Sequence, residues 1–187
     1  MSARTEFEVE DLVADCRAAL SVTQPLTAMR DVLDRLLARP SVVADVLGRE
    51  EGGIESLYAS PELTILNVIW APGMRLFPHD HRMWAAIGIY GGTEDNEFFR
   101  RGNGGLASSG GKAVREGEVL LLGDDAIHAV ANPLDSYTGA IHVYGGDFFH
   151  EPRSEWDPQT REERPYDVEH ARQVFAEANA RVRSQQA

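Results

Sequence analysis

The chain has 187 residues, 18 basic and 30 acidic, for a net charge of −12 at pH 7. A surface this acidic repels phosphate backbones and anionic headgroups, which argues against nucleic acid or a membrane as partner. Hydrophobic residues at 43% and charged residues at 26% match a single globular domain with a substantial core, not a disordered chain.

In chain order, the amino-terminal MSARTEFEVEDL is acidic and carries no apolar run, so it does not read as a secretory signal. Residues 7–20 place Phe7, Leu12, Val13, Cys16 and Leu20 at roughly helical spacing. Residues 26–38 put Met29, Val32, Leu33, Leu36 and Leu37 on one stripe, which Pro40 is expected to end. Residues 1–48 are therefore predicted to form a helical extension that caps the rest of the chain. Cys16 is the only cysteine, so no intramolecular disulfide or cysteine-based zinc finger is possible. No window is apolar enough to span a bilayer, and a cytoplasmic protein is expected.

After Gly52-Gly53 the pattern changes to short apolar or alternating runs: LTILNVIW (63–70), WAAIGIY (84–90), EFFRR (97–101), EVLLL (118–122), HAVAN (128–132) and GAIHVYG (139–145). Gly91-Gly92, the GNGG run at 102–105 and Gly110-Gly111 read as turns between them. Many short strands at this spacing predict a mainly β barrel or sandwich over residues 49–158, with a jelly roll among the candidates. The run RSEWDPQTREERPYD reads as a charged surface loop. Residues 167–182, with Val168, Ala171, Val174 and Phe175 on one side, read as a closing helix, so 159–187 is a loop and helix.

His79 and His81 stand in GMRLFPHDH with one residue between them. Residues i and i+2 of a strand share a face, so both imidazoles can turn to one ion while Asp80 points the other way. His128, 47 residues past His81, begins another predicted strand and can close the site from across a barrel. Three neutral imidazoles leave the 2+ charge of a metal uncompensated and about three positions open in an octahedral geometry. Such a centre suits an anionic ligand such as a thiolate with room for O2. Zinc with a bound water is the competing inorganic reading.

Gly73, five residues, then His79 and His81 resembles the first signature motif of the cupin superfamily, closing near Gly88 or Gly91. Gly117, EVLLL, a turn, His128 and, four positions on, Asn132 resembles the second, with Gly123 and Asp125 where proline and glycine are usual. The resemblance implies a double-stranded β-helix (jelly-roll) barrel. The glutamate that many cupins supply soon after the second histidine is absent, since Ala85 and Ala86 stand there.

HDHRMWAAIGIYGGTE, with IHAVANP and IHVYG further on, narrows the likeness. Across about residues 70–153 it resembles the bacterial 3-mercaptopropionate and cysteine dioxygenases. That implies Fe(II) on His79, His81 and His128 and oxidation of a small thiol by O2 to a sulfinate. It further implies a role beside the metal for His142 and Tyr144, which share a strand face. The family often has a serine two residues before that histidine. Here Ala140 occupies the position, which predicts a truncated proton relay. Cys16 lies outside the matching segment, so no cysteine–tyrosine crosslink is expected.

The mercaptopropionate branch carries an arginine eleven residues after the late histidine, and that count reaches Arg153. Its fork would hold a substrate carboxylate. Arg153 and Trp84 are the substrate-contact candidates, with Arg75 and Arg82 as fallbacks. The expected partners are a small-molecule thiol and O2, and the chain is expected to be a monomer or homodimer. Another oxygenase, an isomerase or hydrolase with zinc, nickel or manganese, and a non-catalytic ligand-binding cupin remain open on the sequence.

Overall fold

The computed structural model describes residues 6–48, 50–102 and 105–186. Three amino-terminal helices come first: α1 (Val9–Leu20), α2 (Pro25–Leu36) and α3 (Pro40–Leu47). Pro40 does not simply end the second helix; it opens the third. Its fixed φ suits a first helical turn, where a missing N–H costs nothing.

Next in the chain are the strands β1 (Gly53–Ala59), β2 (Thr64–Trp70), β3 (Arg75–Asp80), β4 (Ala85–Gly91), β5 (Thr93–Gly102), β6 (Gly105–Arg115), β7 (Val119–Leu122), β8 (Ile127–Ala131) and β9 (Thr138–Tyr144). Two short strands, β10 (Ser154–Trp156) and β11 (Glu163–Pro165), precede α4 (Val168–Gln186). One antiparallel sheet runs β1-β2-β9-β4-β7 and the other β11-β10-β3-β8-β5-β6. From β2 to β5, and again from β6 to β10, consecutive strands alternate between the sheets, the winding of a jelly roll. The fold is the predicted mainly β class: a double-stranded β-helix with helices at both termini.

Two layers of core result. Strand alternation sends Leu66, Val68, Ala85, Ile87, Ile89, Ala140 and Tyr144 into the barrel, and Ile65, Ile69, Ala86, Tyr90, Ile141 and Val143 outward against α1–α3. Leu33, fully buried, is among the helix side chains on that outer face. Sheet and helices approach closely at Gly88, where a Cβ would sit 2.9 Å from Leu37 Cδ1 and Leu37 would have to give way. Burial of each large aliphatic side chain stabilises by about 1.5–3 kcal/mol. From the other end, α4 packs Ala171, Phe175, Ala178 and Val182 onto the barrel cluster, and Phe175 stacks on Trp70. Asn179 of α4 clips the backbone N–H and carbonyl of Gly52, each at 2.8 Å.

Two expectations from the sequence are corrected. Gly110-Gly111 is not a turn; it lies inside β6, where Gly110 takes φ +135° at a register shift opposite Phe98 and Phe99. The charged run at 153–167 is not a bare loop. It holds the β10–β11 hairpin, and Glu155 of β10 pairs with His79 on β3. Glu155 is fully buried, and Arg164, His170 and the backbone N–H of Asp167 surround it at 2.6, 2.9 and 3.0 Å. The hairpin's charges are thus paired, Glu155 with Arg164 inside it and Glu163 with Arg101 of β5. Asn103 and Gly104 of the GNGG run lie outside the described residues, and Gly102 and Gly105 pair across the β5–β6 end.

Candidate metal centre

The signature residues position the site before any side chain does. Gly73 and Gly117 adopt positive φ of 63° and 83°, a left-handed geometry that favours glycine. Asn132 ties the barrel end together. Its Nδ2 donates to the carbonyls of Trp70, Ala71 and Ser136, and its Oδ1 accepts from Leu134 N–H and the Thr138 hydroxyl. Asn132 is therefore structural.

His79 and His128 lie directly opposite one another in the β3–β8 register, which brings two distant positions onto one inward face. His81 comes just beyond the end of β3. The ring centroids of His79, His81 and His128 stand 4.9, 4.7 and 5.0 Å apart, and one ligand atom from each lies within 4.8 Å of the others. All three are buried. Asp80 points away, as alternation requires. It is buried too, and receives Arg82 at 2.8 Å, Arg101 at 3.3 Å and the Ser154 N–H at 2.8 Å.

The nitrogen chemistry fits a cation. Nδ1 of His79 is 3.0 Å from the Phe77 carbonyl, which can only accept, so the hydrogen sits on Nδ1 and Nε2 offers a lone pair. That Nε2 is 3.1 Å from Nε2 of His81. His128 gives Nδ1 to the Asn96 amide oxygen at 2.7 Å, leaving its buried Nε2 with no protein partner. Nδ1 of His81 is also unpaired. The buried orphan Nε2 of His128 requires an explanation, and a divalent ion shared by the three imidazoles supplies one. Burial lowers His79 to about 4. Burial and the neighbouring imidazoles hold His81 and His128 well below the ordinary histidine value. All three are thus neutral at pH 7, the state a metal needs.

On β9, His142 and Tyr144 face the same interior. Tyr144 lies edge-on to His81, with ring centroids 4.9 Å apart, and its hydroxyl is 3.0 Å from Nδ1 of His142. Burial raises the Tyr144 phenol above its usual range, so the hydroxyl keeps its proton. Where Ala140 offers His142 no hydroxyl, Glu94 of β5 lies 3.2 Å from its Nε2. Sequence reading missed Glu94. Within TEDNEFF it shares a strand face with Asn96 and Phe98, but only pairing with β8 shows that this face points inward.

Arg153 lies between two rings, its Cζ 3.8 Å above Phe148 and 4.1 Å from Tyr166, while one guanidinium nitrogen donates to the Phe148 carbonyl at 2.8 Å. Those rings border the histidines: Phe148 is 6.1 Å from His81 and Tyr166 is 6.0 Å from His79. No carboxylate pairs with Arg153 among the described residues. Beyond it opens a cavity of about 520 Å3, bounded by Phe148, Phe149, Arg153, Tyr166, Val168 and Phe175 among others.

Trp84 is not brought to the site. It packs over Gly145, where any Cβ would collide with the indole, and joins the cluster facing the helices. Its register explains this, since it shares the outward phase of Ala86 on β4. Arg75 is exposed near the far end of β3, and Arg82, in the left-handed region at φ 57°, is turned onto Asp80. Neither fallback reaches the histidines. His150 pairs with Asp147 at the surface, and His170 stacks on Phe77 while bonding Glu155. Cys16 is buried among the helices, and burial pushes its thiol up to about 12.

No family model matches the chain. Solved structures similar to it include a protein from Bacillus halodurans at 13% identity, covering 56% of this chain and 77% of that one, with a TM-score of 0.48. An RmlC-like cupin family protein with a double-stranded β-helix fold from Methanocaldococcus jannaschii is similar at 11% identity, over 55% and 86%, with a TM-score of 0.44. A Bacillus subtilis oxalate decarboxylase variant is similar at 17% identity, over 52% of this chain and 26% of its own, with a TM-score of 0.43. Identity this low says nothing about chemistry. Among the described residues, no helix is long and apolar enough to cross a membrane.

Proposed function

We propose that this protein is a non-heme iron(II) thiol dioxygenase that converts a small thiol carboxylate and O2 into the sulfinate. The observation that carries the reading is the convergence of three neutral histidines with an arginine that lacks a carboxylate partner among the described residues. In the net reaction both oxygen atoms of O2 end on sulfur, and R–S⁻ becomes R–SO2⁻. His79, His81 and His128 would hold the ion, and bound iron(II) would supply the redox chemistry that joins sulfur to oxygen.

The remaining work falls to the protein. Arg153 offers its fork to the substrate carboxylate, held flat by Phe148 and Tyr166. Fixing that end limits how the thiol can approach the histidines. Phe148 and Tyr144, 4.4 Å apart, wall the site and keep water out. Tyr144 keeps a hydroxyl beside His81 for the substrate or oxygen, and its hydrogen bond with His142 fixes where that hydroxyl sits.

The test is O2 uptake by iron-loaded protein against 3-mercaptopropionate, cysteine and an uncharged thiol of similar length, with the product identified by mass. The reading requires sulfinate from a thiol acid at one O2 per thiol. Absence of O2 uptake by the iron-loaded protein with every thiol would contradict it.

A further inference from the structure

Glu94 is a fully buried carboxylate on the inward face of β5. Its Oε2 accepts from the Trp70 indole at 2.8 Å and lies 3.2 Å from His142 Nε2. Its Oε1 accepts from the Asn96 side-chain amide at 3.1 Å. No lysine or arginine pairs with it among the described residues. Burial alone would raise its pKa, but the charge and hydrogen bond of His142, with the bonds from Asn96 and Trp70, bring it below its ordinary value. An ionised carboxylate can only accept, so every group facing it must present a hydrogen.

That requirement fixes two chains of hydrogen bonds. Towards β9, Nε2 of His142 carries the hydrogen, and its Nδ1 lies 3.0 Å from the Tyr144 hydroxyl. Towards β8, Nδ2 of Asn96 donates to Glu94, so Oδ1 must face His128 and accept its Nδ1–H at 2.7 Å. His128 Nε2 is left bare, as the buried orphan atom. One carboxylate thus sets a hydrogen on His128, a candidate metal ligand, and on His142, which bonds the tyrosine beside it.

We propose that Glu94 is the positioning residue of this centre, holding His128 through Asn96 and Tyr144 through His142. It supplies from β5 an anchor for His142 that Ala140 cannot provide from β9. Its effect on turnover rests on the dioxygenase reading above; its effect on the two histidines does not. Outer partners of this kind typically contribute about 10- to 100-fold in metal affinity or activity.

The experiment pairs nitrogen-15 NMR of the histidines in zinc-loaded protein with steady-state kinetics of the iron form. In the unaltered protein His142 should carry hydrogen on Nε2 and His128 on Nδ1. His142 with hydrogen only on Nδ1 overturns the proposal and requires no variant. In Glu94→Gln, which keeps the volume, the His142 Nε2–H resonance should shift or disappear. There kcat should fall about 10- to 100-fold with KM within about 3-fold. Glu94→Gln combined with Tyr144→Phe should lose less than the product of the two single losses, because part of the effect of Glu94 passes through that hydroxyl. An unchanged His142 resonance in Glu94→Gln, or additive losses in the double variant, would reduce Glu94 to a structural residue. If no thiol is oxidised by the unaltered enzyme, the reaction assignment fails while the NMR still decides the role of Glu94.

Discussion

Strand β9 presents two unlike surfaces along seven residues. Outward, Ile141 and Val143 meet the helical layer in an apolar contact. Inward, Ala140 leaves room while His142 and Tyr144 join Glu94 and His81. The outer face is held by non-directional burial, which tolerates substitutions that keep volume. The inner face is held by hydrogen bonds with assigned directions, where loss of one partner strands another. Substitutions on the two faces should therefore fail differently, one in stability and the other in metal content or turnover.

The largest contrast lies in the ligands. His79→Ala, His81→Ala and His128→Ala should each lower bound metal at least about tenfold by elemental analysis, since two imidazoles remain. His150→Ala and His170→Ala should leave metal content unchanged, because both lie off the cluster. Full occupancy in His128→Ala would break the comparison at its centre.

Arg153→Gln comes next. Losing a charge-assisted contact in a desolvated pocket costs about 2–5 kcal/mol, or roughly 30- to 4000-fold. KM for a thiol acid should rise by such a factor while an uncharged thiol changes little. Equal small effects on both would make Arg153 a stacking residue only. Tyr144→Phe should keep the metal and reduce kcat by about 10- to 1000-fold, and an unchanged rate would remove the hydroxyl from the chemistry.

On the outer face, Leu33→Ala should cost about 2–5 kcal/mol in denaturant unfolding, with metal content unchanged. The buried histidines give a milder, pH-dependent signature. His79 is lowered to about 4 by burial, so it stays neutral in the folded state when the unfolded chain already takes a proton. Stability of metal-free protein is then fully present above the unfolded value of about 6.5, and falls as pH drops from there towards 4, by roughly 3 kcal/mol. His81 and His128 add in the same direction. A metal-free protein equally stable at pH 7 and pH 4.5 would contradict their burial as neutral groups.

Legibility in the sequence divides along the same line. Apolar periodicity located α1, α2 and the longer inner strands, because burial leaves a repeating trace at 3.6 or 2 residues. The HxH pair was legible since strand geometry puts both residues on one face, and His128 through its place in a motif that resembles the second cupin signature. Glu94 was not, because an acidic residue in a charged strand looks solvent-facing until β8 and Trp70 cover it. Likewise β10 and β11 were masked by charges that neutralise one another within the hairpin, as Arg164 and Glu155 do. Trp84 misled because the sequence does not give the phase of β4 relative to the barrel axis. Arg153 could be counted to, but its seat between Phe148 and Tyr166 depends on α4 and the preceding hairpin.

The central claim is that these three histidines form one iron site open to a thiolate, and X-ray absorption at the iron edge tests it most directly. Iron(II)-loaded protein should show scattering from three imidazoles, and anaerobic addition of 3-mercaptopropionate should add one sulfur to the coordination shell. Fewer than three imidazoles, or a shell that the thiol leaves without sulfur, would contradict it.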